Sequence, residues 1–196
     1  MNQRPSAKPA QARLNERVRK SEARLQAAVD LVGLSIYSWN PVTGALEWDA
    51  RLKGMWGLSP DAHVDENIWR SAIHPDDQAR VAEEAERCID PNGDGTYAIE
   101  YRVIGIEDCI ERWVSTIGRT TFRNGQPNEF VGAALEITVR KRAEEALRDS
   151  EERFRRFAKF SLHVFWILDL NTMQLDYLSP AFERVWGEAP GPILAS

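Results

Sequence analysis

The chain has 196 residues, 43% hydrophobic and 28% charged, with seven tryptophans and a formal net charge of −5. That is enough apolar material for a packed core and excludes a wholly disordered chain. Residues 1–26 hold seven Lys/Arg against two acids, residues 138–160 eight against five, and residues 27–137 nine against nineteen; an acidic globule between basic segments excludes a nucleic-acid reader, whose globular face is basic.

Residues 1–10, with Pro5, Pro9 and small polar neighbours, predict a disordered N-terminus. An amphipathic helix follows over 11–32. Its residues Leu14, Val18, Ser21, Leu25, Ala28 and Val32 alternate by four and three, the seam of a coiled coil with charge on the other faces. From Leu34 the period becomes two. Leu34–Trp39 and Ala45–Trp48 read as strands joined by the turn residues Asn40-Pro41-Val42-Thr43-Gly44. Residues 50–73 predict short helical pieces broken by Gly54, Gly57 and Pro60. His74-Pro75-Asp76-Asp77 then opens a longer helix to Ile89: proline at the first position loses no needed N–H, and the aspartates complement the dipole.

Asp90–Gly95 ends that helix. Thr96–Ile104 alternates Tyr97, Ile99, Tyr101 and Val103 against Glu100 and Arg102, a half-buried strand. Arg112–Phe122 and Glu129–Thr138 complete the set around an Asn124-Gly125 hairpin. A basic helix over 139–161 follows, on which Ala143, Leu147, Ser150, Phe154, Phe157 and Ser161 repeat the four-three seam. Val164–Leu168 and Leu175–Tyr177 predict two further strands.

The phrase SEARL at Ser21 returns as SEERF at Ser150. A shift of 129 places Arg24 on Arg153, Leu25 on Phe154 and Trp48 on Tyr177, and one more residue brings Trp56-Gly57 onto Trp186-Gly187. Charge composition alone would not carry the aromatic strand ends as well. The chain therefore reads as one module and the start of a second.

Helix, two strands, short helices, a longer helix and three antiparallel strands is the order of a PAS domain, and particular phrases resemble that family. His74-Pro75-Asp76-Asp77 resembles the HPDD opening of its long helix in one subgroup. Glu100-Tyr101-Arg102-Val103, Arg112-Trp113-Val114 and Gly125-Gln126-Pro127 resemble the progression that follows. Gly132 through Leu135-Glu136-Ile137-Thr138 and Arg140-Lys141 resemble the closing PAC motif, with Glu136 where the family usually has Asp. The resemblance implies an α+β PAS fold: a five-stranded antiparallel sheet with short helices and one longer helix on one face, flanked by coiled-coil-like helices. It divides the chain into a PAS domain with PAC motif over 33–138, a linker helix over 139–161 and an incomplete second PAS domain over 162–196.

Leu34, Ile36, Trp69, Ile73, Val81, Tyr101, Val103 and Ser115 are the candidate pocket-lining residues, although alternation alone proves only burial, and plain core is the favoured reading. Glu136, Ile137 and Thr138 are the expected signal exit. Leu14, Val18, Ser21, Leu25, Ala28, Leu147, Ser150 and Phe154 are the expected seam of a homodimer formed through the flanking helices, because a narrow apolar stripe on a charged helix needs a matching helix. No catalytic set or metal set emerges. Asp90-Pro91-Asn92-Gly93-Asp94-Gly95 matches the first half of a calcium loop, but Tyr101 stands where the closing acid belongs, so a turn is favoured.

No cofactor is expected. Some PAS domains hold haem through a histidine on the long helix, and His74 begins that helix, but a capping or structural histidine is the commoner role. Flavin-binding photoreceptor PAS domains carry a reactive cysteine among the short helices, and residues 59–73 contain none. Cys88 and Cys109 lack metal or redox spacing and read as reduced thiols of a cytoplasmic protein. The resemblance implies a sensory module with a small-molecule ligand or a solid core, feeding an output domain in the same polypeptide. A histidine kinase is the commonest such output and a cyclic-dinucleotide enzyme the next. A ligand-free dimerisation spacer is the rival.

Overall fold

A computed structural model describes residues 8–187, with side chains at Arg13 and from Asn15 onward. Leu14's side chain and residues 1–7 of the expected disordered start lie outside the described residues; residues 8–10 are helical. The chain divides into two compact units, one ending at Thr138 and one beginning at Val139.

The first unit opens with helix α1 (Lys8–Val32). Gly33, at φ +70°, closes it: the Gly33 and Leu34 N–H groups donate back to the Asp30 and Val29 carbonyls. That left-handed step is cheap only for glycine. Arg51 then ties the helix end down, donating to the Leu34 carbonyl at 2.7 Å and to Asp30 at 3.2 Å.

Strands β1 (Ser35–Trp39), β2 (Leu46–Trp48), β3 (Thr96–Ile104), β4 (Glu111–Arg123) and β5 (Gln126–Glu136) form one antiparallel sheet in the order β2-β1-β5-β4-β3. Helices α2 (Ala50–Met55), α3 (Glu66–Ser71) and α4 (Gln78–Ile89) lie between β2 and β3 in sequence. This is the α+β PAS architecture. Asp49 and Asp65 begin the two short helices by accepting from the Leu52 and Ile68 N–H groups at 2.7 and 2.8 Å. Gly54, expected to break a helix, lies inside α2, and the reversal falls at Gly57, φ +65°. A Cβ there would sit 2.8 Å from the Gly105 Cα.

The core joins Leu52, Met55 and Trp56 of the α2 region to Ile73, Val81, Tyr101, Val103, Val114 and Ala134. Cys88, Tyr97 and Phe130 form a second buried cluster, against which Tyr37, Trp39, Ala85 and Ile89 pack.

The second unit holds most of helix α5 (Thr138–Phe160), a hairpin of β6 (Trp166–Asp169) and β7 (Gln174–Leu178), and helix α6 (Ala181–Trp186). Ser179 closes it by exchanging backbone and side-chain bonds with Phe165, and Phe154 and Phe157 meet Tyr177 and Phe165 at ring separations of 5.4 and 5.3 Å. Among the described residues no helix is long and apolar enough to cross a membrane.

Candidate functional site

Between the sheet and helices α3 and α4 lies a cleft of about 320 Å³. Six aromatic side chains line it: Tyr37, Trp39, Trp48, Trp69, Tyr97 and Phe130. Their placement follows from strand parity, since Tyr37 and Trp39 stand two apart on β1 and so share a face. Two glycines make room for Phe130. Gly118 and Gly132 pair across β4 and β5, and a Cβ on either would run into the Phe130 ring. Phe130 fills that space and packs on Tyr37, Tyr97 and Trp39 at centroid distances of 5.6, 5.7 and 6.5 Å.

The hydroxyls of the cleft are neutral. Burial, then the nearby Tyr101 phenol, push the Tyr37 and Tyr97 phenols up. Tyr101 itself, which accepts from Trp69 Nε1 at 3.4 Å, is pushed up to about 12 by burial. Burial likewise raises the Cys88 thiol, so it is a wall group and not a poised thiolate. The charged lining groups are Glu66 and Arg70, paired at 2.9 Å, and Glu86.

Of the residues expected to line a pocket, Trp69 does so. Ile73, Val81, Tyr101 and Val103 sit in the adjoining core. Leu34 is half-buried beside the end of α1. Ile36 and Ser115 belong to the other face of the sheet. Ile36 is 46% exposed between the inward-facing Ser35 and Tyr37, and Ser115 pairs with Glu100 and Leu135 between buried Val114 and Thr116. The parity of β1 was ambiguous because Leu34 and Ile36 on one face compete with Tyr37 and Trp39 on the other. The aromatic strand positions two apart were the signal that would have found the cleft.

His74 caps the 3₁₀ turn Pro75–Asp77 that leads into α4, and not α4 itself: its Nδ1 accepts from the Asp76 N–H at 3.2 Å, and its ring is not in the cleft wall. No histidine stands in that wall, so His74 is not placed to ligate a haem there. The Asp90–Gly95 turn is held by its own carboxylates, Asp90 accepting from Asn92 and Asp94 from Thr96 and Arg87. Among the described residues no three His, Cys, Asp or Glu side chains are grouped to hold a metal ion.

The exit is fastened to β4. The Ile137 N–H donates to the Trp113 carbonyl at 2.8 Å, and the Trp113 N–H donates to Thr138 Oγ1 at 3.0 Å. The Thr138 hydroxyl donates in turn to Glu136 Oε1 at 2.8 Å, so the glutamate reaches the first residue of α5 despite its extra methylene. Ile137 and Thr138 are buried. The Arg102 guanidinium lies 5.6 Å over the Trp113 ring, and Asp77 holds that arginine from the start of the long helix.

Each seam, described within its own helix, is open to solvent. Leu25 on α1 and Leu147 on α5 are both 63% exposed, and Val18, Ser21, Ala28, Ser150 and Phe154 are exposed as well.

Residues 45–134 match the family described as PAS fold. The crystal structure of a sensory box histidine kinase/response regulator from Burkholderia thailandensis E264 superposes with a TM-score of 0.58 at 35% identity, over 68% of this chain and 98% of that one. The chain belongs to the PAS family. Sensor protein FixL of Bradyrhizobium diazoefficiens is 25% identical to it over 161 residues, 81% of this chain and 31% of FixL. The probable diguanylate cyclase DgcE of Escherichia coli K12 is 20% identical over 166 residues, 84% of this chain and 14% of DgcE. This PAS chain thus spans under a third of either curated relative.

Proposed function

We propose that the chain is a sensory and signal-relay module of a longer signalling protein, with a sensor histidine kinase of a two-component system as its output. The fastened exit carries the reading. Any displacement of β4 or β5 is felt at Thr138, which is also the first residue of α5, so an event in the domain reaches a helix whose seam is exposed at Leu147 and Ser150. A second chain would cover the α1 and α5 seams, and a shift at Thr138 would bias a two-state helical pair. The similarity to FixL and to the Burkholderia sensory box kinase supports that output. The similarity to DgcE supports a second reading, in which the module feeds a cyclic-di-GMP enzyme. A ligand-free spacer is less favoured, because a spacer has no use for an aromatic cleft.

In this reading the second unit is the opening of another PAS copy. The turns support it: Asn40 Oδ1 accepts from the N–H groups of Val42 and Thr43, and Asp169 Oδ1, 129 residues on, accepts from those of Asn171 and Thr172.

The test is cross-linking of the full chain with Cys109 replaced by serine. Leu147→Cys, Ser150→Cys and Phe154→Cys should join across a dimer, and Asp149→Cys, off the seam, should not. Adding Thr138→Val should redistribute cross-linking among the three seam positions. A chain that sediments as a monomer at high concentration would refute the dimer, and an unchanged pattern with Thr138→Val would refute the relay.

A further inference from the structure

We infer that the cleft takes a neutral aromatic or heteroaromatic small molecule carrying a hydrogen-bond acceptor, seated against Trp39 and Trp48. This deepens the sensory reading and rests on it only for the consequence of binding, since occupancy can be measured whether or not a signal leaves the domain.

Two of the wall's indoles carry an unmet need. Trp39 Nε1 and Trp48 Nε1 are buried from solvent and have no hydrogen-bond partner. Indole N–H groups in folded proteins almost always find an acceptor once buried, and each exception asks for an explanation. Trp56 and Trp69 follow the rule nearby, donating to the Trp69 carbonyl and the Tyr101 hydroxyl. The two that break it are both lining residues. The terminal torsion of an indole is soft, so a modest turn of either ring would bring its N–H to an acceptor lying in the cleft.

Shape and charge narrow the class. At 320 Å³ the cleft lies near the lower end of ligand-site volumes, about 300–1,000 Å³, which suits a small ring system. Six aromatic walls favour a flat π-face, met edge-on or offset. A carboxylate would find no unpaired cation, because Arg70 is held by Glu66 and lies 5.7 Å over the Trp69 ring. A cation would leave both indole N–H groups without an acceptor, and the lining carboxylates offer it little: Glu66 is paired with Arg70, and Glu86 is exposed to solvent. What remains is a neutral acceptor: a carbonyl or a ring nitrogen.

The experiment is titration calorimetry of the full chain at neutral pH with four probes: quinoline, naphthalene, 2-naphthoate and phenyltrimethylammonium. Quinoline should bind tightest, with naphthalene weaker by roughly three- to tenfold, the range of one net hydrogen bond. The two ions should bind more weakly still. Trp39→Phe and Trp48→Phe keep a ring and delete the donor. At least one should bring the quinoline-to-naphthalene ratio to about one, and both should remain folded, with a urea midpoint lowered by no more than the trimmed ring contact accounts for, since neither donor is paired in the free protein. Ala85→Leu, which adds bulk at the wall, should abolish quinoline binding. Equal binding of quinoline and naphthalene, preference for either ion, a ratio unchanged in both tryptophan variants, survival of binding in Ala85→Leu, or no binding by any probe would each overturn the inference. Quinoline binding that leaves the seam cross-links unmoved would refute the relay and leave the ligand class standing.

Discussion

Asp76 and Asp77 are neighbours in sequence and opposites in structure, and replacing each with asparagine should separate them. The Asp77 side chain is 8% exposed. Its Oδ2 accepts from the Arg102 N–H at 2.9 Å and from Arg102 Nε at 3.0 Å, and its Oδ1 from Arg102 Nη2 at 3.2 Å and Arg80 Nη2 at 3.3 Å. Burial pushes the carboxyl up, but the Arg102 hydrogen bonds and charge, with help from Arg80, outweigh it and hold the pKa at about 2 against an ordinary 3.8. A pKa depressed by that much in the folded state corresponds to about 2 kcal/mol of stability. Because the folded value lies below the unfolded one, the contribution is complete above pH 4 or so, fades as pH falls from 3.8 towards 2, and is gone below. Asp76, 72% exposed and 3.4 Å from Arg102, is a surface pair worth about 0–1 kcal/mol.

Asp77→Asn should therefore cost about 2 kcal/mol near neutrality, since it removes the charge and leaves Arg102 without its buried counter-ion. Asp76→Asn should cost a few tenths at most. Urea unfolding of the first unit, followed by near-ultraviolet circular dichroism at a series of pH values, reads both. The gap between wild type and Asp77→Asn should be flat from pH 7 to about 4 and then close as the wild-type carboxylate protonates. Groups common to both proteins cancel in the difference. A gap that stays constant down to the acid limit, or one at neutrality no larger than that of Asp76→Asn, would refute the argument.

Gly118→Ala would put a Cβ 2.8 Å from Phe130 Cε2 and closer still to Cζ, in a strand where the neighbouring backbone cannot yield. It should cost about 1–3 kcal/mol by overpacking and, by displacing the Phe130 ring, reduce quinoline binding as well; thermal unfolding and calorimetry check the two effects. Met173 sits at φ +57°, in the left-handed region, with its side chain 69% exposed. Met173→Gly should relieve about 1–2 kcal/mol of backbone strain against about 0.4–1 kcal/mol of added chain entropy, leaving the unfolding midpoint of the second unit unchanged or modestly raised; a clearly lowered midpoint would mean that the turn is not strained.

The succession of strands along the chain and the limits of most were legible because period two and turn residues are local signals, although β5, expected over Glu129–Thr138, runs Gln126–Glu136. β3 runs Thr96–Ile104 as the alternation of Tyr97, Ile99, Tyr101 and Val103 requires, and β1 and β2 end within a residue of their expected bounds. The face of a strand was less legible wherever both faces carry apolar groups, which is why Ile36 was placed inward when Ser35 and Tyr37 hold that side. Charge gave another kind of error. At the head of the long helix Asp76 and Asp77 look alike, both suited to the dipole, and nothing local says that one of them is buried against an arginine 25 positions later in a β-strand. That pairing is tertiary. The cleft is tertiary as well, because it depends on Gly118 and Gly132 meeting across two strands beneath Phe130.

The 129-residue repeat shows how one local shape is reached by two routes. In the first copy Gly44 takes φ +73° freely, while Asn40 accepts two backbone N–H groups and Thr43 Oγ1 accepts from Ala45. In the second copy Asp169 and Thr172 make the same three bonds, but Met173 stands in glycine's place at φ +57°. Methionine gains nothing there, so the side-chain acceptors must hold the turn against its preference. The Asx acceptor and the threonine hydroxyl are thus the determinants of this turn, and the glycine only lowers its cost. The recurrence of these bonds at the 129-residue spacing, with Ser21 and Ser150 at matching seam positions of α1 and α5, supports the proposed second copy more strongly than the SEARL and SEERF phrases do.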